Sequence, residues 1–160
     1  MTEIVVPPLI DCARVLHYAI VDETVRYTPK NQIFSGGIEL GAVPRLAIVR
    51  NLVDDVIMLL HCDEEWTSLG VSGGGSAEGA MAYANRRYEG LEGKWHKAPY
   101  CEAEFAKAVA DEYRDQRCSF CGRYHFQIDA LMVAGDRAMI CGECVERLHS
   151  ALSGGMEFST

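Results

Sequence analysis

Apolar positions in the first seventy residues fall in short runs separated by turn-forming residues, a spacing that suits strands better than helices. Residues 15–21 are β-branched and aromatic enough for a strand. Asp22-Glu23-Thr24 predicts a turn from it into a second short strand over 25–28. Residues 29–37 read as a polar, glycine-containing loop. The most apolar strands are expected at 45–49 and 56–60, joined through 51–55. Asp63-Glu64-Glu65 then returns the chain into a strand over 66–71. Consecutive strands linked by short turns favour an antiparallel meander.

The period changes after Ser72-Gly73-Gly74-Gly75-Ser76. Ser76 is placed to cap a helix, Glu78 sits near the positive end of its dipole, and Ala80, Tyr83, Ala84, Arg87 and Tyr88 follow helical spacing up to Gly90 as the C-cap. A glycine-rich loop before a helix also suits phosphate, but no basic residue follows the glycines at once and G-x-G-x-x-G is absent. A second helical pattern covers 100–117, with Phe105, Ala108 and Val109 on one side and Arg114 and Arg117 in its last turn. A third carries Val145, Leu148, His149 and Leu152 at i, i+3, i+4 and i+7 and ends at Gly154-Gly155.

A chain of 160 residues with 49% apolar content has room for one medium domain or two small ones. No apolar run reaches the roughly 18 residues of a membrane span, and residues 1–8 lack the basic start and long apolar stretch of a secretion signal. Seven cysteines is an odd number, which suits a reducing compartment better than a disulfide framework, so a cytoplasmic location is expected. The formal charge of −8 disfavours nucleic acid and anionic membrane surfaces as partners.

The strongest chemical signal lies near the C-terminus. Cys118-Ser119-Phe120-Cys121 and Cys141-Gly142-Glu143-Cys144 are two C-x-x-C pairs about twenty residues apart, the spacing of a four-thiolate zinc site. Gly122 follows the first pair, where a metal knuckle needs a residue tolerant of positive φ. Four sulfurs leave no coordination position for water or substrate, so the ion expected here, one Zn2+ per chain, is structural. Binding it would deepen the net charge to about −10, because the ligands give up their protons. Between 118 and 152, Asp129, Asp136, Glu143 and Glu146 outnumber Arg123, Arg137 and Arg147, so this segment has no basic face for phosphates.

The runs Cys118-Ser119-Phe120-Cys121-Gly122-Arg123, Ile128 to Gly135, and Ile140-Cys141-Gly142-Glu143-Cys144-Val145 resemble the zinc-binding domain of the ClpX unfoldase. Gly142 departs from the Asp usual in that family, and the spacer between the pairs is about one residue longer. The phosphate loop of an ATPase is absent. The resemblance implies a short helix after the first knuckle, a strand into the second, and a module that dimerises or docks adaptors and clients. The expected architecture is therefore α+β. An antiparallel sheet with one or two helices occupies 1–100, a connecting helix 101–117, a small treble-clef-like zinc module 118–153 and a loose tail 154–160.

So small a module cannot hide all its apolar side chains. Phe120, Phe126, Ile128, Leu131, Met132, Met139 and Leu148, with Ile140 and Leu152, are the candidate contact surface for a protein partner, a second copy of the chain or the chain's own N-terminal domain. The leading reading is a non-enzymatic protein whose zinc module mediates association, as an adaptor or regulator. A second class is a small acidic neutraliser of a basic partner. A third is an enzyme using Cys12, His17, His61, Cys62, Cys101 or Glu64. Adjacent His61 and Cys62 point to opposite faces of a strand, however, and Asp63-Glu64-Glu65 reads as a solvated turn. His125 is expected at the surface or in a secondary contact, since the sulfurs already complete a ligand set.

Overall fold

The computed structural model describes residues 4–29 and 32–154, and the chain divides into two compact units, 1–108 and 109–160. Unit 1 opens with β1 (Leu9–Ile10), β2 (Ala13–Ile20), β3 (Arg26–Tyr27), β4 (Ile33–Ser35), β5 (Ile38–Leu40), β6 (Arg45–Asn51), β7 (Ile57–Cys62) and β8 (Ser68–Gly73). α1 (Ala77–Arg87), β9 (Tyr88–Glu89), β10 (His96–Lys97) and α2 (Glu102–Glu112) follow, and the boundary between the units falls within α2. The main sheet has the order β1-β2-β6-β7-β8, with β10 also paired to β2, and every pairing is antiparallel.

Alternation along the strands builds two apolar layers. One face carries Ala19, Leu46, Ile48 and Leu59 against Ala80 and Ala84 of α1 and Tyr88 beyond it. The other carries Ala13, Val15, Ala47, Val49, Leu60 and Cys62 with Val6, Ile10 and Trp66. A β-bulge between Val15 and His17 inserts one extra residue in β2. It moves His17, opposite Ile48, to the α1 face, whereas uninterrupted alternation would keep it on the face of Ala13 and Val15.

The helix signals of α1 are realised. Ser76 Oγ accepts the Gly79 N–H at 3.0 Å, and Glu78 lies in the first turn. The helix ends at Arg87, and Gly90 serves the turn after it, with φ 87° and the Thr24 carbonyl 2.8 Å from where a Cβ would stand. Asp63 Oδ1 accepts the N–H groups of Glu65 and Thr67 at 2.9 and 2.8 Å, so the acidic run is a turn held by its own carboxylate.

Three local expectations differ. The turn at Asp22 forms, its carboxylate accepting the Thr24 N–H at 2.9 Å, but β3 pairs with β9 and not with β2. Val21 N–H is instead taken by the Pro44 carbonyl. The segment 29–37, expected as loop, contains β4 and the turn of a hairpin with β5, because Gly36 and Gly37 supply the two consecutive positive φ values that a tight hairpin turn demands. α2 stops at Glu112, short of Arg117. Residues beyond it belong to the metal knuckle: Gln116 O accepts the His125 N–H at 2.9 Å and Arg117 bridges to Tyr124, pairings a continuing helix would forbid.

Unit 2 contains a 3-10 turn (His125–Gln127), β11 (Met132–Ala134), β12 (Met139–Cys141) and α3 (Gly142–Ser153). The segment expected as a short helix ending at Gly135 is thus one 3-10 turn followed by a strand. β11 pairs with β12, and Gly135 N–H closes the turn onto Ala138 O at 2.7 Å. The tail expected from 154 lies, beyond Gly154, outside the described residues. Among the described residues no helix is long and apolar enough to cross a membrane.

Candidate metal centre

The first cysteine pair sits on a tight turn. Cys118 N–H bonds to Arg123 O and Gly122 N–H returns to Cys118 O, both at 2.8 Å, with Gly122 at φ 73°. The second pair straddles the junction of β12 and α3: Cys141 is the N-cap and Cys144 lies one turn in. Two bonds stitch the knuckles together. Ser119 N–H donates to Met139 O at 2.8 Å, and Met139 N–H donates to Ser119 Oγ at 3.1 Å. Gly142 N–H reaches Leu131 O at 2.9 Å, and a Cβ at Gly142 would stand 3.2 Å from the Ala130 methyl, a close approach that suits glycine here.

This scaffold gathers the sulfurs of Cys118, Cys121, Cys141 and Cys144 to within 4.8 Å of one another. A Zn–S bond of about 2.3 Å implies a tetrahedral edge of roughly 3.8 Å. The Cys121–Cys141 sulfur separation of 3.9 Å fits that edge. Cys118, Cys141 and Cys144 are buried and Cys121 is the outermost of the four.

The surroundings favour the thiolate at the first knuckle, at Cys118 and Cys121, whereas burial and the neighbouring cysteines raise the Cys144 thiol to about 12 in the metal-free site. Burial opposes ionisation of Cys118, yet hydrogen bonds from the backbone N–H groups of Cys121, Cys141 and Phe120 pull its thiol down to about 6. The Arg123 side chain, with Nε 3.5 Å from the Cys121 sulfur, lowers the Cys121 thiol as well. Arg123 also pairs with Glu143, between the cysteines of the second knuckle, with Nη1 3.3 Å from Oε1. One guanidinium therefore ties both knuckles to each other and donates to a ligand sulfur. Arg123→Ala is expected to speed zinc transfer to a chromophoric chelator and to weaken zinc affinity about 10-fold or more, within the usual range for outer-sphere partners. An unchanged transfer rate would show that this contact does not tune the site.

A closed four-sulfur site on a knuckle hairpin and a knuckle-capped helix defines a structural zinc finger. Residues 116–154 match the family model described as the ClpX C4-type zinc finger, and the cofactor is accordingly one structural Zn2+. No solved structure matches the chain. When bound, zinc would crosslink the two knuckles through these four sulfurs. The chain's own residues set the sulfur positions and their proton affinity.

The candidate contact residues divide. Phe120, Leu131 and Leu148 are exposed, at 63%, 83% and 41%, joined by Val133, Val145 and Leu152. Met132 and Met139 are half-buried, and Met132 packs on the cysteine cluster. Phe126 is half-buried in an aromatic nest, stacked on Tyr124 and edge-on to Tyr113 and His125. Ile128 turns inward onto Cys118, Cys141 and Cys144, so it serves the module's core. His125 stands outside the sulfur cluster, its ring against Tyr113. A groove of about 390 Å³ lined by Phe120, Cys121, Cys144, Arg147, Leu148 and Ala151 runs beside the cysteines, and its lining adds no further metal donor.

Of the residues considered for catalysis, His17 and His61 share the α1 face of the sheet and Cys62 lies on the opposite face. His61 bonds Ser72 Oγ through Nε2 at 3.1 Å, while Cys62 packs in the apolar layer on the other face. Burial raises the Cys62 thiol to about 12, which keeps it protonated and unreactive at neutral pH. Cys101 is exposed, its N–H bonded to Glu104 at 2.8 Å.

Proposed function

We propose that the chain is a non-enzymatic zinc-binding protein, acting in a reducing compartment such as the cytoplasm, whose C-terminal unit mediates protein association. The observation that carries this reading is the apolar surface beside the closed metal site: Phe120 on the first knuckle, and Val145, Leu148 and Leu152 along α3, all exposed. The sequence stripe on α3 is amphipathic, yet only Cys144 of that helix is buried. An apolar stripe this exposed suits a protein contact. Ligand saturation by four sulfurs argues for a structural and against a catalytic ion.

The first occupant we assign to this surface is a second copy of the chain, since its exposed apolar side chains would be buried by the same face of another copy; adaptor or regulatory docking would use the same face. Light scattering coupled to size exclusion on the full zinc-loaded chain tests it. A dimer that Leu148→Glu together with Phe120→Glu converts to a monomer of unchanged zinc content is the expected result. A monomer at every concentration, or a dimer indifferent to both substitutions, would overturn the assignment.

A further inference from the structure

Unit 1 encloses a positive charge that no described residue balances. Arg87 projects from the last turn of α1 and is fully buried, in the stripe that begins with Ala80 and Ala84. Its Nη2 donates to the Tyr27 hydroxyl at 3.0 Å, and the guanidinium lies 5.4 Å from the Tyr27 ring centre. Nε and Nη1 have no acceptor, although both are shut away from solvent. Among the described residues no carboxylate is ion-paired with Arg87.

The same layer holds a second orphan. His61, 1% exposed, pairs across the strands with Leu46, a member of the core that contains Ala84 and Tyr88. Its Nε2 lies 3.1 Å from Ser72 Oγ and its Nδ1 has no partner. Burial first, and the Arg87 charge second, lower the imidazole pKa to about 4, so the ring is neutral at physiological pH and within electrostatic reach of Arg87. With the Ser72 hydroxyl donating to Nε2, the ring proton resides on Nδ1. Under that assignment Arg87 Nε, Arg87 Nη1 and His61 Nδ1 are unmatched donors, and His17 Nδ1, on the same face of the sheet, also lacks a partner. A buried guanidinium with two unsatisfied donors and no ion pair describes a missing acceptor that carries negative charge.

We propose that the α1 face of the sheet holds a small monovalent anion, a halide or a short carboxylate such as formate, bound by Arg87 with His61 at its side. One uncompensated guanidinium calls for one negative charge. The near-zero exposure of both residues excludes a large ligand. The anion acts as a structural ligand, locking the end of α1 to β7 and, through Tyr27, to β3. This site is independent of the zinc unit and of the association proposed for it.

A bromide soak of crystals of the full chain, read by anomalous scattering, tests the assignment directly. A bromide peak in hydrogen-bonding range of the Arg87 guanidinium is expected, and water alone at those nitrogens would overturn it. In solution, unit 1 should gain thermal stability with the logarithm of chloride or formate concentration at fixed ionic strength. The midpoint should rise by roughly 5 °C or more per tenfold increase above the dissociation constant, and Arg87→Met should abolish the dependence. An equal rise in Arg87→Met, or none in the native chain, would overturn the proposal. If Arg87→Met fails to fold, the bromide density and the native titration decide alone.

Discussion

Replacing Cys144 by serine is expected to unfold the zinc unit while the sheet of unit 1 stays folded. Among the described residues of unit 2 the buried side chains are few: Val109, Tyr113, Ile128 and the cysteines Cys118, Cys141 and Cys144. So small a core does not outweigh the chain entropy of some 50 residues, and domains near this size commonly rely on metals. A structural zinc contributes on the order of 10 kcal/mol of apparent folding free energy, more than the whole stability of many domains. Removing one thiolate leaves three ligands and a buried hydroxyl, so the loss should be close to complete. Amide NMR of the full chain checks this. Collapse of dispersion for residues beyond Val109, with the β6 and β7 resonances unmoved, is the predicted outcome. A fully dispersed spectrum would show that hydrophobic packing alone sustains the unit.

The second large effect belongs to the sheet. Leu46 is fully buried in the layer that α1 covers, between Ala19 on β2 and His61 on β7. Leu46→Ala should cost about 2–5 kcal/mol, combining lost transfer energy with the cavity left behind. For a unit of this size that lowers the unfolding midpoint by roughly 10 °C or more. Val71→Ala, on the outer strand β8 and 52% exposed, should move it by only about 1–2 °C. Calorimetry on the two variants separates them. Equal shifts would contradict the layer assignment.

The metal site was the most legible part of the sequence, because its information is local. Two C-x-x-C pairs and Gly122 dictate the knuckle geometry without help from distant residues. The meander was legible for the same reason: β6 and β7 are continuous apolar runs, and Asp63 builds its own turn. Long-range pairing was not. Nothing in residues 25–28 says that β3 will join β9, sixty residues on, in place of its neighbour. The β2 bulge is similarly silent in the sequence, yet it alone brings His17 to the α1 face. Gly36-Gly37 did carry a hairpin signal, outweighed by the polar composition around it. Among the contact candidates, hydrophobicity could not separate Ile128, whose side chain closes over the sulfurs, from Leu131, which faces solvent. Arg123 read as one of a few surface bases; its bridge from Cys121 to Glu143 needed both knuckles in place.

Zinc K-edge X-ray absorption on the full chain tests the closed, structural character of the metal site most directly. Four sulfur neighbours at about 2.3 Å, with no nitrogen or oxygen in the inner shell, is the predicted result. An inner-shell oxygen or nitrogen, or a spectrum altered by added small ligands, would contradict it.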